Sequence, residues 1–144
     1  LLTQGPISRY GGVMRLIAAA LTAFALLCPT APARAASSPD GLTAQQAADL
    51  EAAVSLATMA AFCEWRSIPW SQDYLNFLSF QAAYTGGRAK QVTDFVIATK
   101  DAAAREIMAG DMRGNCARRY NPAALAEMER ARGAGQIPTL TGAR

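Results

Sequence analysis

This 144-residue chain contains no histidine, and carboxylates, aromatic rings and three cysteines are the groups whose spacing could carry chemistry. Imidazole-based triads and His-ligated metal sites therefore lack their key residue, and neither a metal nor another cofactor is expected. No glycine-rich phosphate loop follows a strand, and Gly86-Gly87 reads better as a helix stop. Two acids stand near a run of aromatics: Glu64, beside Cys63, and Asp73. Such a pair could serve as general acid and base in glycoside hydrolysis. Without a surrounding motif, though, two acids usually sit on solvated faces or at helix ends. Arg113, Arg118 and Arg119 surround Cys116, with Asp111 close by, and read as a solvated polar surface.

The aromatic residues are the most distinctive group. From Phe62 to Tyr84 come Phe62, Trp65, Trp70, Tyr74, Phe77, Phe80 and Tyr84. Placed on one helix at about 100° per residue, those beyond Trp70 and their aliphatic neighbours cover an arc of about 220°, where a one-sided helix needs only about 100°. One reading is a central helix packed on several neighbours. The other is a binding surface made of Trp65, Trp70, Tyr74, Phe77 and Tyr84, since aromatics are enriched at binding hot spots.

Residues 1–35 look like an export leader with upstream residues. Met14 is the expected start, Arg15 a positive flank, Leu16 to Leu27 an apolar run, and Ala33-Arg34-Ala35 a signal-peptidase site with cleavage after Ala35. The apolar run is shorter than the ~20 residues that a membrane span needs. Leu26-Leu27-Cys28 lacks the small residue of a lipoprotein signal. A periplasmic or secreted location follows, with no stable membrane insertion after cleavage.

Removing the leader alters both the charge and the cysteine count. Three of the 14 basic residues and none of the 11 acidic ones precede the cleavage point, so the mature part is neutral. Nucleic-acid binding needs a surplus of cations on the folded domain and is not expected. Cys28 leaves with the leader. The remaining pair, Cys63 and Cys116, lacks the C-x-x-C spacing of a redox dithiol and reads as a structural disulfide in an oxidising compartment.

The mature chain resolves into helices. Residues 36–42 are small and polar, a flexible lead-in, and the helical domain spans 43–132. Thr43 and Gln46 form a capping-box signature, and Leu50, Val54, Ala57 and Ala61 then recur at helical spacing to about Arg66, with Pro69 as the stop. A second helix is expected from Ser71 to Thr85, with Asp73 in its first turn. A third covers about Arg88 to Ala109, with Val92, Phe95, Val96, Thr99, Ala103 and Ile107 on one face, although β-branched residues between Gln91 and Thr99 also suit a strand. A turn and short helix carry Cys116, and Asn121-Pro122 caps a last helix ending near Gly133. Residues 133–144 read as a disordered tail.

The expected fold is all-α: a small bundle of three to five helices with one disulfide. The expected function is non-catalytic binding of an envelope protein or a small apolar ligand. The alternatives are a carboxylate-dependent hydrolase acting on envelope glycans, with Glu64 and Asp73 as its acids, and a structural or stress-protective envelope protein.

Overall fold

A computed structural model describes residues 37–140, and the expected leader and cleavage site lie outside them. Five helices follow in order: α1 (Ala44–Phe62), α2 (Ile68–Tyr84), α3 (Ala89–Met108), α4 (Met112–Arg119) and α5 (Pro122–Gly133). There is no strand among the described residues, and the β-branched stretch Gln91–Thr99 is helical. Its valines, phenylalanine and threonine recur every three or four residues, so a helix buries them on one side where a strand would split them between two faces.

The first helix begins as its residues dictate. The Thr43 side chain accepts from the Gln46 N–H, and the Gln46 side chain accepts from the Thr43 N–H. Alanine-rich α1 is buried at Ala47, Leu50, Ala53, Val54, Ala57, Met59 and Ala60, and it packs on both α2 and α3. Small side chains let those neighbours approach it on two sides.

The junction between α1 and α2 differs from the sequence expectation. α1 stops at Phe62, four residues before Arg66, and α2 starts at Ile68, three before Ser71. Glu64 adopts a left-handed conformation with φ 58°. The Trp65 N–H reaches the Ala60 carbonyl (2.9 Å) and the Glu64 N–H reaches that of Ala61 (3.2 Å), a Schellman closure. Ser67 then caps α2 by accepting from the Trp70 N–H at 3.2 Å. Pro69 falls in the first turn of α2, where its missing N–H costs nothing. It opens the second helix instead of closing the first, and Asp73 accordingly lies beyond the first turn.

α3 buries Val92, Phe95, Val96, Thr99, Ala103 and Ile107, the face its spacing defines. α5 adds Ala124, Leu125, Met128 and Ala131, with Asn121 capping it through the Ala124 N–H at 3.0 Å. α4 buries no residue of its own. It is held by the Cys63–Cys116 disulfide, whose Cα atoms are 5.5 Å apart, and by the Asn115 amide donating to the carbonyls of Ile107 and Ala109. The bridge borders a small second core of Met59, Ala103 and Ile107.

Both flanks of the bundle are more ordered than their composition implied. In the lead-in, Pro39 is buried and the Asp40 N–H donates to Gln91 Oε1 (2.6 Å). The Asp40 carboxylate accepts from the Gln91 amide (3.0 Å), and the Asp40 carbonyl from the Arg88 N–H (3.1 Å). After α5, Pro138 and Leu140 are buried and Ile137 packs on the main core. The described part of the supposed tail is therefore a strap over the bundle. Three scattered apolar residues suffice to hold it, too few for a periodic signal.

Candidate binding cleft

The five aromatics expected to form one surface are dispersed by the fold. Tyr74 is fully buried in the main core, and its hydroxyl donates to the Met128 carbonyl at 2.7 Å. Burial raises its phenol pKa far above the ordinary value, with the Glu129 carboxylate adding to the shift and Arg132 opposing it. Trp70 stacks on Tyr74 (5.0 Å between centroids), and its indole N–H donates to Glu129 Oε1 at 2.8 Å. Phe77 stands edge-on to Tyr74 at 5.6 Å. Trp65 meets Tyr120 edge-on at 5.3 Å beside the disulfide. These four are core or half-buried packing. Only Tyr84, 77% exposed, is free on the surface, where it stacks on Phe80. Contact of α2 with α1, α3 and α5 accounts for the part of the arc made by Tyr74, Leu75, Phe77, Leu78 and Ala82, while Phe80 and Tyr84 lie on the surface.

Glu64 and Asp73 are both exposed, one at the end of α1 and the other on α2. Neither lines the cleft described below. In the basic group, Arg119 pairs with Glu106 and Arg118 donates to Asn115, so these side chains are engaged within the surface. No group of three or more potential metal ligands occurs among the described residues.

A concave site does exist, on a different face of α2. Between α2 and α3 lies a cleft of about 450 Å³, with the end of α1 as its floor. Its walls are Phe62, Ile68, Leu75 and Ala104, and its floor is Thr58, Ala61 and Ser71. Phe62 is 39% exposed and Ile68 64%. The floor is chemically apolar despite its two hydroxyls. Thr58 donates to the Val54 carbonyl (2.8 Å) and Ser71 to the Ala57 carbonyl (2.7 Å), so both protons are spent on α1.

The same trough continues along the α2–α3 seam past Asn76, Ser79, Thr93 and Ile97, sharing Gln72, Leu75 and Lys100 with its first half. From Ile68 to Ser79, α2 covers about 16 Å at the helical rise. Sequence reasoning missed this site because, Phe62 apart, its residues are neither aromatic nor part of a motif. One signal was present: Ile97 lies off the buried face of α3, and it is 51% exposed.

Comparison of the chain with protein-family models, curated proteins and solved structures finds no match. None of the described helices is long and apolar enough to cross a membrane.

Proposed function

We propose that this chain is an exported, non-catalytic binding protein and that the α2–α3 cleft is its binding site. The observation carrying this reading is the cleft itself: open, walled by exposed Phe62 and Ile68, and floored by small side chains whose hydroxyl protons are already used. Ligand sites are concave and mostly apolar with a few polar groups at the edge, and Gln72, Lys100 and Asp101 supply such an edge. The disulfide and the leader pattern support export. The hydrolase alternative has no comparable support, since its two acids lie outside the cleft.

The test is saturable binding of an environment-sensitive naphthalene dye to the purified, disulfide-intact protein, compared with Ala104→Leu, which fills the cleft from α3. Circular dichroism establishes that the variant is folded. One-site binding that weakens at least tenfold in the variant is expected. Equal binding by both proteins would place the dye elsewhere and remove the support for this site. The export reading is checked separately by N-terminal sequencing of protein from the envelope fraction, which should begin at Ala36. A chain retaining the segment from Met14 to Ala35 in membranes would refute it.

A further inference from the structure

We infer that the occupant of the α2–α3 cleft is an alkyl carboxylate, its chain folded into the apolar half and its headgroup at Lys100. This rests on the binding reading above and adds the chemistry of the ligand. The two halves of the trough differ in character. The half at the end of α1 presents Ala61, Phe62, Ile68, Leu75 and Ala104. The half along the seam presents Asn76, Ser79 and Thr93 beside Val96 and Ile97. An amphiphile matches that division, with its chain at one end and its polar group where the halves join.

The sign of the headgroup follows from the side chains at the junction. Lys100 and Gln72 line both halves, and Asn76 lies one helical turn beyond Gln72. Among the described residues, none of these three has a hydrogen-bond or ion-pair partner; Lys90, Arg66, Arg88, Arg119 and Arg130 pair with carboxylates, and of the described cations without such a partner Lys100 is the one that lines the trough. An ammonium and two amides thus stand ready to donate. The neighbouring hydroxyls turn their protons inward, Ser79 to the Leu75 carbonyl (2.9 Å) and Thr93 to the Ala89 carbonyl (3.0 Å). The one acid at the rim is Asp101. At about 100° per residue it lies farther round α3 from the buried Val96 than Lys100 does, at about 140° against 40°. Asp101 therefore stands on the outer edge while Lys100 overhangs the trough. Unpaired donors above an apolar channel suit a terminal carboxylate, which accepts several hydrogen bonds.

The experiment is calorimetric titration of the purified, disulfide-intact protein and its Lys100→Gln variant with monomeric dodecanoate, dodecan-1-ol and dodecyltrimethylammonium. Lys100 is exposed and unpaired, so the variant loses no structural contact. Dodecanoate should bind with one-to-one stoichiometry, and Lys100→Gln should weaken it by about 3- to 10-fold while leaving dodecan-1-ol unchanged. Equal weakening of acid and alcohol, or none of either, would overturn the headgroup assignment. Tighter binding of the ammonium amphiphile would assign the head end to Asp101 and overturn it too. If no amphiphile binds while the naphthalene dye still occupies the cleft, the ligand class is wrong and the binding reading survives. If the dye also fails, both fall. Sedimentation with anionic lipid vesicles without binding of free dodecanoate would replace the proposal with a membrane-surface role.

Discussion

Glu64 is the residue whose replacement best separates backbone strain from side-chain chemistry. Three helices end in the same Schellman closure, and the residue in the left-handed position is Gly86 after α2, Gly135 after α5 and Glu64 after α1. A side chain in that conformation costs roughly 1–2 kcal/mol, because its Cβ crowds the following carbonyl. Glycine avoids this cost but loses more freedom on folding, by about 0.5–1 kcal/mol. Glu64→Gly should therefore stabilise the protein by about 0.5–1 kcal/mol through the backbone alone. The carboxylate contributes separately, since a negative charge beside the C-terminal end of α1 opposes the helix dipole. Glu64→Ala removes the charge and keeps the Cβ, so the Gly-minus-Ala difference isolates the backbone and should not change with salt. Urea unfolding of the oxidised proteins measures it, and each kcal/mol shifts the melting temperature by about 4–8 °C in a domain of this size. A Gly variant no more stable than the Ala variant would refute the strain argument. The cross-link would then be dictating the turn at no backbone cost.

Replacing Cys63 and Cys116 by serine should cost about 4 kcal/mol for a loop with a sequence separation of 53, by chain entropy. Because α4 buries nothing, hydrogen exchange of 112–119 should rise first, and an α4 protected equally in both redox states would contradict this account. Tyr74→Phe should lose about 1 kcal/mol with its hydroxyl bond to Met128, measured by thermal melting; an unchanged melting temperature would argue against that bond. Tyr74 also sets an alkaline limit. The folded state holds a phenol proton that the unfolded chain, with a pKa of about 10, releases. This contribution is intact below about pH 10 and is lost as pH rises beyond it, so a stability–pH profile should fall less steeply there for Tyr74→Phe. Gly41→Ala should destabilise by more than about 1 kcal/mol, because Gly41 has φ +88° and an added Cβ would meet the Gly86 carbonyl oxygen. Wild-type stability in that variant would show that the lead-in does not dock on the α2–α3 turn.

Local and periodic features were decided by the sequence alone. The Thr43–Gln46 box starts α1, Gly86 stops α2, the six-residue face of α3 is its buried face, and Asn121-Pro122 starts α5. Each depends on residues within a turn or two, so linear spacing contains the whole cause. The disulfide was legible once Cys28 was read as part of a leader, a reading that leaves Cys63 and Cys116 to pair. Tertiary structure decided whatever depends on which residues from distant elements meet. Pro69 serves an N-terminus as well as a C-terminus, and only the reversal at Glu64 selects between them. Tyr74 belongs to the core and Trp70 packs against it because α5 meets them with Met128 and Glu129, 54 and 59 residues away in the chain. The cleft arises for the converse reason. No described element covers the seam between α2 and α3, so Ile68 and Ile97, ordinary helix residues by type and spacing, are left open to solvent beside Lys100.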